Sequence, residues 1–382
     1  MPGLHLNEEP PSADTLLRLS RGSPDGLLFP KLEWLHWDLE EAGAALPFFC
    51  LFLSPHLRRI TLYTGLPIYH PPSGRMAALT QFLSALPTSL ESLDVGFGQE
   101  DADPVKDALS SFICRCGPFL RSLGTFVPLS DAATLHLMQL PNLSRWETDQ
   151  GPPQVTLTPI LQSLEHFDLN GEAALPWLRF LASGEDCAPT RERLKFLDLP
   201  NGTVIDSTFL SPVVTLRNLV KLRVNNVACK AAAGGCSFRL TDGDIEDLAA
   251  ALPHLKSLRL GEPCDLNTCK TTVASLMSIS VHCPDLLLLE THFNVQTIVG
   301  DIQGLLDRGL GHNKTQCRLQ SILVGVIPLE LDSTGLRTVT MGFSAIFPHV
   351  AHLVGYNGHW PELRLQMPGV GGDGVDAKAV VP

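Results

Sequence analysis

The hydrophobic positions of the chain fall into one recurring phrase, L-x-x-L-x-L, commonly two residues after a proline or a polar turn. Eleven segments carry it: LEWLHW from Leu32, LRRITL from Leu57, LESLDV from Leu90, LRSLGT from Leu120, LSRWET from Leu143, LEHFDL from Leu164, LKFLDL from Leu194, LVKLRV from Leu219, LKSLRL from Leu255, LLLLET from Leu286 and LQSILV from Leu319. The first leucines lie 21 to 36 residues apart, with a mean near 29. WPELRLQM, near Leu363, reads as a degenerate twelfth. In a strand, alternate side chains face opposite sides. Positions +3 and +5 after each first leucine therefore point together into a core, and +2, +4 and +6 point to the other face.

Between the phrases lie helix signals. LTDGDIEDLAAAL sets Thr241 three residues before Asp244, a capping box ahead of an apolar run. PVKDALSSFICRCG has Pro104 in a first turn and stops at Gly117. MAALTQFLSALP, DAATLHLMQLP, KTTVASLMSISVHCP and DIQGLLDRG each run to a Pro or Gly in the same way.

A strand followed by a helix, repeated at this period, predicts an α/β leucine-rich-repeat solenoid of about eleven repeats. It would be a curved horseshoe, with parallel strands on the concave face and helices on the convex face. The expected solenoid covers residues 28–366. Residues 1–27, rich in Pro, Ser, Gly and acid, read as an irregular or disordered segment, and 367–382 as a flexible tail. ACKAAAGGCS at 228–237 reads as a loop and accounts for the longest spacing.

Composition sharpens this picture. Leucine makes up 66 of 382 residues and hydrophobic residues 44%, which excludes disorder for most of the chain. With 28 Lys and Arg against 40 Asp and Glu, the net charge is −12, the wrong sign for gripping a phosphate backbone, so nucleic acid is not an expected partner. The longest apolar stretch, Ala44–Leu53, contains Pro47 and falls short of the ~20 residues a membrane span needs. The first residues carry no basic n-region or apolar h-region, so the expectation is an intracellular protein, cytoplasmic or nuclear, with no membrane partner. The ten cysteines then read as free, mostly buried thiols, with Cys114 and Cys283 on helix faces beside apolar neighbours.

Catalytic and cofactor motifs are missing. There is no G-x-x-x-x-G-K-[ST], no G-x-S-x-G and no H-E-x-x-H, and Asp101 stands where a dinucleotide fingerprint starting at Gly96 and Gly98 needs its third Gly. Cys114 with Cys116, and Cys264 with Cys269, are only fragments of a zinc pattern. The expectation is a chain without enzyme activity, cofactor or metal.

The informative surface is then the strand face away from the core. Its +4 column reads His36, Thr61, Asp94, Gly124, Glu147, Asp168, Asp198, Arg223, Arg259, Glu290 and Leu323. Flanking positions add Asp149, Lys221 and His292. Two readings stand side by side. The charges keep a solvated sheet face soluble, or Asp94, Glu147, Asp149, Asp168, Asp198, Lys221, Arg223, Arg259, Glu290 and His292 form a bipolar surface that selects a protein partner by charge.

In LFPKLEWLHWDL, FFCLFLSPHLRRITLYTG, LPTSLESLDV and LTDGDIEDLAAALPHLKSLRL the chain resembles the leucine-rich-repeat region of fungal F-box proteins, over about residues 27–345. In that family the repeats select a substrate, and an N-terminal F-box docks on the Skp-type adaptor of a cullin ubiquitin ligase. The resemblance implies a non-enzymatic substrate-binding solenoid, with adaptor and cullin as partners if an F-box lies upstream. An F-box needs roughly forty residues with an L-P-x-E-[IL] opening. NEEPPSADTLLRL does not match it, and the first repeat starts by Leu32, so adaptor docking carries over to no residue of this chain. The expectation is a start missing from the gene model, or an F-box-less paralogue. The alternative, from another class, is a leucine-rich-repeat regulator or inhibitor of an enzyme or small GTPase.

Overall fold

A computed structural model describes residues 3–6, 13–22, 27–38, 46–63, 73–96, 103–153, 161–199, 204–224, 238–261, 270–291, 297–308, 317–325, 333–356 and 363–366. The chain divides into two compact units. Unit 1 is Met1–Ala173 with Gly184–Arg193, and unit 2 is Ala174–Ser183 with Leu194–Pro382. The fold in both is the α/β leucine-rich-repeat solenoid that the repeats predict.

In unit 1, strands β1 (Gly3–Leu6), β2 (Trp34–Asp38), β3 (Arg59–Tyr63), β4 (Ser92–Gly96), β5 (Ser122–Thr125), β6 (Arg145–Thr148) and β7 (His166–Leu169) pair in parallel, each with the next. Helices α1 (Ala13–Gly22), α2 (Ser73–Ser84), α3 (Asp103–Arg115) and α4 (Asp131–Met138), with a 3-10 helix over Leu46–Phe52, form the crossovers, and α6 (Ala188–Arg193) also belongs here. Unit 2 opens with α5 (Ala174–Ser183). It continues through β8 (Phe196–Leu199), α7 (Ser207–Val213), β9 (Lys221–Val224), α8 (Asp242–Ala251), β10 (Ser257–Leu260) and α9 (Val273–His282). After these come β11 (Leu288–Thr291), α10 (Ile298–Asp307), β12 (Ser321–Gly325), α11 (Ser333–Ile346), β13 (His352–Tyr356) and β14 (Leu363–Gln366). Strands β8 to β13 pair in parallel, and β14 returns antiparallel on β13.

All eleven phrases became strands, and the reason is visible residue by residue. The +3 side chains are in register: Leu35, Ile60, Leu93, Leu123, Trp146 and Phe167 in unit 1, and Leu197, Leu222, Leu258, Leu289 and Ile322 in unit 2. Each is at most 1% exposed. Fully burying such a side chain contributes roughly 1.5–3 kcal/mol, and a one-residue slip would turn the whole row to the other face. The +1 amides start the ladder: Glu91 donates to the Arg58 carbonyl, Arg121 to Glu91 and Ser144 to Arg121, each at 2.8 Å. Unit 2 repeats this with Val220 to Lys195, Lys256 to Val220 and Leu287 to Lys256, again each at 2.8 Å.

The helices hold to each other through specific polar locks. The capping box forms as the sequence predicts. The Thr241 hydroxyl accepts from the Asp244 amide, and the Asp244 carboxylate accepts from the Thr241 amide. Asp242, next to it, reaches the following repeat and accepts hydrogen bonds from the Thr272 amide, the Thr272 hydroxyl and the Ser275 hydroxyl. Gly342 lets α11 approach α10, since a Cβ there would drive into Ile302.

The structure departs from the sequence reading at both ends of the chain. Residues 1–27, expected to be irregular, contain β1, paired with β2, and α1, which buries Leu16 to 1%. Strand β13 follows Val350, which takes the place of the first leucine and is 3% exposed. The degenerate twelfth segment forms β14, but antiparallel to its neighbour. The expected loop at 228–237 and the tail at 367–382 lie outside the described residues.

Candidate functional site

Strand alternation puts the predicted charges on the open face, away from the core, and the two units arrange them differently. In unit 1 the row across the sheet is His36, Thr61, Asp94, Gly124, Glu147 and Asp168. Gly124 supplies the gap that makes the arrangement possible. A Cβ there would sit 2.8 Å from Asp94 Oδ1 and 3.6 Å from Glu147 Oε2, so both carboxylates lean over this strand from its two sides.

Asp168 is the deepest of these groups at 7% exposure. Arg145 Nη2 donates to its Oδ2 at 3.1 Å, and His166 Nε2 lies 3.0 Å from its Oδ1. The same guanidinium is 3.8 Å from Glu147 Oε2. Arg145 thus lies among Asp94, Glu147 and Asp168, and Arg59, at the +2 position of β3, is exposed on the same face. The Glu147 carboxyl is pushed above the ordinary carboxylate range, first by burial, then by the charges of Asp168 and Asp94, with Arg145 and the Asn170 side chain acting against the rise. Asp94 keeps an exposed edge yet is also pushed up, by partial desolvation between the flanking strands, while Arg145 and His36 pull it down. Asp149, just past β6, is half-buried. Trp34 and His36 add a tilted ring pair at 6.2 Å on β2.

In unit 2 the row reads Asp198, Arg223, Arg259 and Glu290. Arg223 Nη1 reaches Asp198 Oδ2 at 3.4 Å, and Arg259 Nε reaches Glu290 Oε1 at 2.9 Å. The two arginines of the expected basic patch are thus each matched to an adjacent acid. Lys221 is half-buried on the same face, in register with Phe196 on β8, and Leu288 lies two strands further on. His292 lies outside the described residues.

The chemistry available here is ion pairing and proton uptake. The imidazole of His166 is oriented by a carboxylate, but the other group on that carboxylate is the Arg145 guanidinium and not a hydroxyl or thiol nucleophile. Among the described residues, no three His, Cys, Asp or Glu side chains are grouped to hold a metal. Cys116 and Cys187 are pushed up to about 11, and Cys283 to about 12, by burial above all, so these thiols stay protonated and inert. Cys283 is buried as expected; Cys114 instead faces solvent, while its neighbour Cys116 is buried. No helix among the described residues is long and apolar enough to cross a membrane.

No family model matches the chain, and no curated protein does. Among solved structures it is similar to a chain in the crystal structure of the Rad7 and Elc1 complex in yeast, at 15% identity and a TM-score of 0.41, covering 89% of this chain and 81% of that one. A likeness at this level carries no inference about what the chain binds.

Proposed function

We propose that this chain is a non-enzymatic protein-recognition solenoid whose unit 1 strand face holds a basic segment of a partner. The observation that carries the reading is the crowding of Asp94 and Glu147 around the side-chain-free Gly124, beside Asp168 and with one arginine among them. Like charges on adjacent strands, as Glu147 and Asp168 are, destabilise a sheet, and a face needing only solubility would space them apart. Charge held at a cost to stability is characteristic of surfaces shaped for binding. An incoming Lys or Arg adds positive charge between Asp94 and Glu147 and lets both raised carboxyls ionise.

We propose further that the solenoid is the substrate-binding half of an F-box-type ubiquitin-ligase receptor, a reading supported by the resemblance of its repeats. Peptide arrays matched in length and differing only in Lys and Arg content test the first part. Basic peptides should bind, weaken several-fold when salt rises from about 0.05 M to 0.3 M, and lose binding to a chain carrying Asp94→Asn and Glu147→Gln. Equal binding of basic and acidic peptides would overturn it. Reconstitution with a Skp-type adaptor and cullin, using a chain extended by upstream coding sequence, tests the ligase link separately.

A further inference from the structure

A second surface lies on the helical side of unit 2. Helices α5 and α7 border a groove of about 770 Å³. Its polar lining is Arg179 and Ser183 from α5, with Ser207, Thr208, Ser211 and Thr215 from α7 and the turn that follows it. In a chain with 40 acidic residues this groove is lined by one guanidinium, five hydroxyls, Ala182 and Pro212, and no carboxylate. Two of the hydroxyls are committed: Ser183 donates to the Arg179 carbonyl at 2.7 Å and Thr215 to the Pro212 carbonyl at 2.8 Å. The hydroxyls of Ser207, Thr208 and Ser211, and the guanidinium of Arg179, have no partner among the described residues. All four residues are exposed. The nearby acid, Asp206, is occupied as the α7 cap, accepting from the Phe209 amide at 3.0 Å.

We propose that this groove binds an acidic segment of a protein partner, one side-chain carboxylate seating on Arg179 with the free hydroxyls completing its hydrogen bonds. A guanidinium fork matches a carboxylate in bidentate fashion, and the hydroxyls donate to the oxygen lone pairs that remain. The charge argues for carboxylate over phosphate. One arginine balances one monoanion, whereas phosphate sites gather arginines in clusters. The size argues for a segment over a free ion, because grooves of ~300–1,000 Å³ suit ligands of several residues' bulk. This inference is independent of the unit 1 face and does not depend on that reading.

The test is anisotropy of a labelled Glu-rich hexapeptide titrated with the full chain. Its Gln analogue, a phosphoserine analogue and inorganic phosphate serve as competitors. The net charge of −12 repels an acidic peptide, so binding has to come from local donors. Expected are binding of the Glu peptide, little competition by the Gln analogue or free phosphate, and a loss of about tenfold with Arg179→Gln, in line with one charge-assisted pair. Ser211→Ala should cost about threefold, and the melting temperature of both variants should match the parent because both side chains are exposed. Unchanged affinity in Arg179→Gln, or equal binding of the Gln peptide, overturns the site. Tighter binding of the phosphoserine peptide than of the Glu peptide overturns the carboxylate assignment.

Discussion

The open strand faces of the two units are built on the same positions and treat charge in different ways. Unit 2 sets Asp198 beside Arg223 and Arg259 beside Glu290, so each acid has a base on a neighbouring strand. Unit 1 sets Asp94, Glu147 and Asp168 around one arginine, and Gly124 opens the gap into which two of them lean. The cores beneath are alike, with +3 side chains at most 1% exposed in both units. The repeat therefore fixes the inward positions and leaves the outward ones free to differ. Under the proposed function, the matched pairs of unit 2 need no partner charge and the crowded carboxylates of unit 1 take one.

Core truncations should not distinguish the units. Leu93→Ala in unit 1 and Leu258→Ala in unit 2, both 0% exposed, should each cost roughly 2–5 kcal/mol in chemical denaturation. A loss well below that range in one unit alone would mean that its core is looser and the comparison unequal.

The next largest effect separates two aspartates that look alike in the sequence. Asp168→Ala strips Arg145 and His166 of a shared, buried acceptor and should cost about 1–3 kcal/mol. Asp198→Ala breaks a longer pair whose carboxylate is less buried, and should cost at most about 1 kcal/mol. Equal losses would erase the contrast. Gly124→Ala should destabilise unit 1 and displace the Asp94 carboxylate, which a crystal structure of the variant would show directly; an unmoved Asp94 would remove the gap from the account.

Much of this was legible in the sequence, for physical reasons. A period-2 strand with leucines at fixed offsets leaves little freedom, so eleven strands and their inward rows could be read off, Trp146 included. Thr241 and Asp244 announced their capping box because that motif is local. Strand β13 was missed because Val350 stands in for leucine, and β1 because Met1 occupies the first position of its phrase. The Arg145–Asp168 pair runs diagonally from a +2 to a +4 position and depends on how far a side chain reaches, which spacing does not encode. The sequence suggested one acidic patch followed by one basic patch. Register instead placed Arg223 and Arg259 each beside an acid, while in unit 1 three carboxylates crowd around Arg145.

The most direct test of that crowding is the stability of a chain carrying Asp94→Asn and Glu147→Gln, measured by chemical denaturation as a function of pH. A raised carboxyl means that the native state binds more protons than the unfolded state between the ordinary range near 4 and the raised value. Stability should thus fall as pH rises through that window, and the penalty should be fully present at neutral pH. Removing both charges should make the variant more stable than the parent at pH 7, with the difference shrinking as the pH is lowered through the window. A variant less stable than the parent at pH 7 would show that these carboxylates are structural supports and would contradict a face held ready for a basic partner.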